Sequence, residues 1–138
     1  MRLFLDANIL VTVFNKEYPG FPYASRVLSL ADNRKYKLVT SSICLAIAYY
    51  FAEKKHGAAV AKAKIGILLE HIDVVDCGKK EAVQASANKR IHDFEDGLQY
   101  YAAINSKCSC IITNDINDFH FSDIEVLQPE VFLKANFK

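Results

Sequence analysis

Arg2-Leu3-Phe4-Leu5-Asp6-Ala7-Asn8-Ile9-Leu10 holds the transition that decides the architecture. Its first residues form a short apolar run that fits a buried strand. Asp6 or Asn8 then offers a side-chain oxygen to cap a helix predicted over 8–14. The same strand-then-helix step recurs along the chain. A strand over 37–40 is followed by Ser41 or Ser42 as cap and a helix to about Lys55. Strands are predicted over 72–75, 110–113 and Glu125–Leu127, with helices over 23–33, Ala58–Leu69, 80–90 and Phe94–Asn105. Tyr18-Pro19-Gly20-Phe21-Pro22 interrupts the helical pattern, and Pro129 opens a closing helical turn over 129–133. Strands separated by helices of about ten residues predict parallel pairing. The expected fold is therefore α/β, a three-layer α/β/α sandwich around a mostly parallel sheet.

The whole chain, 1–138, is expected to form one domain, since it has no linker, repeat or low-complexity tract. Hydrophobic residues make up 51% and charged residues 24%, which excludes a disordered chain. The carboxylate of Asp6 interrupts the apolar start, so no export signal is expected. The longest apolar run, 43–52, falls short of the about 20 residues a bilayer requires. No membrane partner and a cytoplasmic location are the resulting expectations. Cys44, Cys77, Cys108 and Cys110 lack the paired spacing of a zinc site and are expected to be buried free thiols. The net charge of +1 argues against a strongly cationic nucleic-acid wrapper.

Ligands in open parallel sheets bind outside the carboxyl ends of the strands. Asp6 follows the first strand there, Asp115 follows the strand over 110–113, and Asp96 lies in the first turns of a helix. Asp93 precedes Asp96 by three residues and is expected on the same side; Glu95 is expected to point elsewhere but remain near, and Asp118 follows Asp115 by about one turn. Each acid has a local explanation as a cap, a dipole partner or a turn former. Gathered at one sheet edge they need another. Two like charges about 4 Å apart repel by about 4 kcal/mol at an effective dielectric of about 20. Hard oxygen ligands without His or Cys favour Mg²⁺ or Mn²⁺ as the neutralising ion. Such ions polarise phosphoryl oxygens and activate water, which suits phosphodiester hydrolysis. The haloacid dehalogenase pattern fits less well, because Asn8 stands where its second Asp belongs.

Three blocks then resemble a known family in order. The stretch 3–10 resembles the opening of the PIN domain nucleases. Asp93-Phe94-Glu95-Asp96-Gly97-Leu98-Gln99 resembles their third-acid helix, and Ile111-Ile112-Thr113-Asn114-Asp115 with Asp118-Phe119 their fourth block. Size and order are similar to the VapC-type toxins of bacterial toxin–antitoxin pairs. The resemblance implies a divalent-metal-dependent endoribonuclease in which Asp6, Asp96 and Asp115 hold the ion. Asn8 and Thr113 would assist, with Asp93 and Asp118 as further members. It also implies an RNA substrate, a homodimer and an antitoxin partner. One departure stands out: in Leu45-Ala46-Ile47-Ala48, Ile47 occupies the place of a usual acid. Glu53, about 240° further round the helix, faces away, so Asp93 is the expected substitute. The alternative is a catalytically weakened PIN module that binds RNA or a protein without cutting.

The near-neutral charge hides an asymmetry. Between Met1 and His92 stand 14 Lys and Arg against 8 Asp and Glu, a net +6; from Asp93 onward, 3 against 8 give −5. Lys54, Lys55, Lys62, Lys64, Lys89 and Arg90 are therefore expected to line the approach for phosphates. Tyr18, Phe21 and Tyr23 are candidates for stacking on unpaired bases.

Overall fold

The computed structural model describes residues 1–137. Five strands, β1 (Arg2–Leu5), β2 (Lys37–Ser41), β3 (Asp73–Val75), β4 (Cys110–Ile112) and β5 (Glu125–Leu127), form one sheet in the order β3-β2-β1-β4-β5. Every pairing is parallel, and Phe4 lies opposite Val39 on one side and Ile111 on the other. Leu3, Phe4, Leu5, Val39, Ile111 and Ile112 are fully buried. Burial on both faces explains why these strands read as continuous apolar runs rather than alternating ones.

Seven α-helices among the described residues flank the sheet: α1 (Ala7–Phe14), α2 (Phe21–Leu28), α3 (Ser42–His56), α4 (Ala58–Leu69), α5 (Lys79–Ala87), α6 (Phe94–Asn105) and α7 (Pro129–Asn136). They pack in two sets, α5 on α6, and α1 with α2 and α3, α3 with α4, α2 with α7. The expected three-layer α/β architecture is the observed one. Caps sit where the sequence put them. Asp6 accepts from the Ala7 amide, Ser41 Oγ from the Cys44 amide at 3.1 Å, and Asp93 from the Glu95 amide at 3.0 Å. Gly57, at φ 87°, turns the chain between α3 and α4 in a conformation that side chains disfavour.

Three boundaries differ from expectation. The helix expected over 23–33 begins earlier, because Pro22 is tolerated in a first turn, and tightens into a 3₁₀ turn at Ser29–Asp32. The helix expected over 80–90 ends at Ala87. Asn88 turns extended, accepts the Arg90 amide at 3.0 Å and donates to Tyr101 Oη at 3.1 Å, so Lys89 and Arg90 lie in a turn. The closing turn lengthens to Asn136 because Phe132 and Leu133 bury their side chains. All four cysteines are free, with Cys77 half-buried and the others buried; burial pushes the Cys44 and Cys110 thiols up to about 12. Among the described residues no helix is long and apolar enough to cross a membrane.

This topology places the crevice. From β1 the chain moves to β2 on one side, while β4 lies on the other, so the order reverses between β1 and β4. A ligand crevice opens at such a switch point, beyond the carboxyl ends of the strands.

Candidate functional site

Asp6 and Thr113 leave the sheet on either side of this switch, and the Asp6 amide still donates to the Ile112 carbonyl at 3.0 Å. Beyond them the side chains lock together. Thr113, fully buried, donates its hydroxyl to Asp6 Oδ2 at 2.9 Å, while Asp6 Oδ1 accepts from the Ala7 amide at 2.8 Å. The Thr113 oxygen in turn accepts from Asn8 Nδ2 at 3.0 Å and from the Asp115 amide at 3.1 Å. Asn8 Oδ1 accepts the Asn114 amide at 3.1 Å, and Asn114 Nδ2 donates to Thr12 Oγ1 at 3.2 Å. One hydroxyl thus fixes both the Asp6 carboxylate and the backbone that carries Asp115.

The third acid arrives on α6. One turn beyond Asp96, the buried Gln99 accepts from Ser41 Oγ at 2.6 Å through Oε1, tying α6 to the junction of β2 and α3. Asp6, Asp96, Asp115 and Asp118 line one cleft of about 400 Å³, together with Glu17 and Glu95. Its apolar wall includes Ile47 and Phe51.

The charge in this cleft is uncompensated. Burial, opposed by the bonds from Thr113 and Ala7 and aided by Asp118 and Glu95, leaves the Asp6 carboxyl above its ordinary value. Burial first, then repulsion from Asp93, Asp118, Asp6 and Glu95, pushes Asp96 up to about 7. Asp118 is raised by burial, then by Asp115 and Asp93. The ion pairs among the described residues, Lys37 with Asp73 and Lys134 with Glu130, lie elsewhere. No three acid, imidazole or thiol groups among the described residues are gathered into a closed metal cluster. The carboxylates instead stand on separate elements around an open cleft. An all-oxygen donor set with excess negative charge fits a hard divalent cation and suits zinc poorly.

The predicted residues divide. Asp6, Asn8, Asp96, Asp115 and Asp118 line the cleft, with Thr113 buried directly behind. Ile47 stands on the wall where the family resemblance led us to expect an acid, and Glu53 is exposed, accepting from Tyr49 Oη. Asp93, expected to substitute for the missing acid, caps α6 and lies outside the cleft lining; only its field reaches Asp96 and Asp118. Glu95, expected to point elsewhere but remain near, lines the cleft. Lys62 borders a hollow between α3 and α4 with Leu45 and Tyr49. Lys64 borders a separate groove with Phe14 and Leu28, so neither lysine lines the acid cleft. Lys54 lies over the Tyr50 ring at 4.6 Å, and Lys55 donates to the Asn15 carbonyl, both just past Phe51. Tyr18 is exposed and pairs with Phe21 at 5.5 Å, whereas Tyr23 packs on the core. Glu17, Asn114 and Gln99 were missed. Glu17 follows the last turn of α1 with no pattern to mark it, and Gln99 reveals its partner only across 58 residues.

Comparison with known proteins gives the family and the fold. The PIN domain model matches residues 2–117, and the chain belongs to that family. Ribonuclease VapC1 of Aquifex aeolicus (strain VF5) is 30% identical over 138 residues, which is 95% of this chain and 92% of that protein. VapBC2 from Rickettsia felis, crystallised with a DNA fragment from its promoter, superimposes with a TM-score of 0.70 at 24% identity, over 93% of this chain and 98% of that one. VapBC-1 from nontypeable Haemophilus influenzae gives 0.69 at 22%, covering 94% and 99%. Mycobacterium tuberculosis VapC20, a sarcin-ricin loop cleaving toxin, gives 0.66 at 17%, covering 89% and 98%.

Proposed function

We propose that this protein is a divalent-metal-dependent endoribonuclease acting as the toxin of a toxin–antitoxin pair. The observation that carries the proposal is the convergence of Asp6, Asp96 and Asp115, from three separate elements, on one cleft with no Lys or Arg among the described residues paired to them. In our reading these three carboxylates hold Mg²⁺ or Mn²⁺, and Asp118 and Glu95 complete the acidic wall. A bound ion would polarise the phosphoryl oxygen and acidify water. Thr113 and Asn8 keep the Asp6 oxygens oriented, so little reorganisation is needed when substrate enters. Burial and the neighbouring acids push the Asp96 carboxyl up to about 7, and a bound cation would supply the charge balance that lets it ionise.

Lys54 and Lys55, just past the cleft residue Phe51, with Lys89 and Arg90 in the turn before α6, are the residues we assign to RNA phosphates. The exposed apolar side chains Val60 and Leu69 on α4 support a homodimer. The groove bordered by Phe14, Leu28 and Lys64 is our candidate seat for an antitoxin segment. Four free thiols suit a reducing, cytoplasmic setting. Ile47 on the cleft wall favours a second reading, a module that binds RNA without cutting it.

Cleavage of a mixed RNA pool by the purified protein decides between them. Cutting in Mn²⁺ or Mg²⁺ that stops with EDTA and in the Asp96→Asn variant is the expected result. RNA that is bound and left intact in both ions would favour the second reading.

A further inference from the structure

His92 and His120 take no part in the cleft described above. Both are exposed, and their rings stack with centroids 5.0 Å apart and planes 29° from parallel. His92 immediately precedes Asp93, the cap of α6, and His120 immediately follows the 3₁₀ turn Ile116–Phe119 that carries Asp118. The pair therefore links the segment that leads to Asp93 with the turn that carries the cleft residue Asp118. It also rests on something rigid. His120 and Phe121 meet edge to face at 5.5 Å, and Phe121 meets Tyr100 at 5.1 Å. Phe121 and Tyr100 are both buried. Neither imidazole makes a side-chain hydrogen bond among the described residues, and the stacked pair stays exposed to solvent. Lys89 and Arg90 stand exposed just upstream.

We infer that the His92–His120 stack is a platform for an unpaired base of the RNA, beside the phosphate that enters the acid cleft. An acidic rim repels phosphate but not the flat face of a base, and cationic side chains nearby hold the flanking phosphates. Stacking on an aromatic ring contributes about five- to hundredfold in affinity per base and tolerates any sequence. The platform would therefore position RNA without reading it. His92 and His120 are positioning residues in this account.

The inference rests on the assignment of RNA as substrate, and its test separates the two. Binding of a fluorescent single-stranded RNA to the full chain in EDTA at about pH 8 is followed by anisotropy. A matched oligonucleotide with abasic riboses serves as the comparison. Wild type should prefer the base-bearing RNA. In His92→Ala and His120→Ala the affinity for that RNA should fall about fivefold or more, with little change for the abasic one. His120→Phe, which keeps a ring, should restore the preference. Equal losses on both oligonucleotides, or no rescue by Phe, would reduce the pair to a brace and overturn the platform. Unchanged binding by the alanine variants would do the same. Wild type that neither binds nor cuts RNA would remove the substrate assignment itself, and the platform with it.

Discussion

Replacing Asp96 with Asn should make the protein inactive and, in the absence of metal, more stable. Its carboxyl is raised from 3.8 to about 7, by burial first and by four neighbouring acids after it. A rise of about 3 units corresponds to about 4 kcal/mol, at about 1.36 kcal/mol per unit. The cleft is open to water, and screening brings the expected value down to about 1–2 kcal/mol. In the unfolded chain the group loses its proton at about pH 4. The folded protein keeps that proton until about pH 7, so wild-type stability falls as pH rises through this window. Asn carries no charge in either state and removes the fall. At pH 8 in EDTA the variant should melt roughly 2–8 °C above wild type, and the gap should close at about pH 4. Mn²⁺ at about a hundred times its dissociation constant should stabilise wild type by about 2.7 kcal/mol and the variant much less. Thermal unfolding by circular dichroism at several pH values, with and without Mn²⁺, measures all of this. A variant no more stable than wild type at pH 8 would refute the claim that the cleft holds uncompensated charge.

Other substitutions probe the frame around the acids. Thr113→Val keeps the shape but strips Asp6 of a donor and leaves Asn8 Nδ2 and the Asp115 amide without their acceptor. A loss of about 1–3 kcal/mol in urea unfolding and a drop in RNA cleavage should follow. In Gly97→Ala the new methyl would lie 2.9 Å from Ala85 Cβ and 3.1 Å from Ile91, between α5 and α6. Overpacking of about 1–3 kcal/mol outweighs the helix-propensity gain of about 1 kcal/mol, so the melting temperature should fall. Ile47→Glu places an acid on the cleft wall; the metal-free protein should lose about 1 kcal/mol at pH 8 while Mn²⁺, titrated calorimetrically, binds several-fold more tightly. Lys64→Ala, in a groove apart from the acids, should leave the salt dependence of RNA binding unchanged, whereas Lys54→Ala should lower its slope by about 1.

The strands and the capped helix starts were legible because they are local. Leu3-Phe4-Leu5 states its own burial, and Asp6, Ser41 and Asp93 cap helices that begin within a residue or two of them. Helix ends were less legible, since Asn88 stops α5 through a bond to Tyr101, 13 residues away. Asp6 and Asp115 could be named from the sequence because topology alone carries them to one edge. Their mutual arrangement could not. Asp93 commits its carboxylate to a backbone amide and stays outside the cleft lining, whereas Glu95 lines it. Lys62 and Lys64, two residues apart on one helix, face different hollows.

By itself, then, the sequence determined the parallel α/β framework, the order of its strand and helix units, and the acids available at the strand ends. These follow from hydrophobic patterning and chain connectivity, which act over short distances or are fixed by order. Only the tertiary structure decided which acids share the cleft, that Thr113 and Asn8 lock Asp6 to Asp115, and that His92 meets His120. Those outcomes depend on hydrogen bonds and ring contacts between residues far apart in the chain, which form only when the sheet brings their elements together.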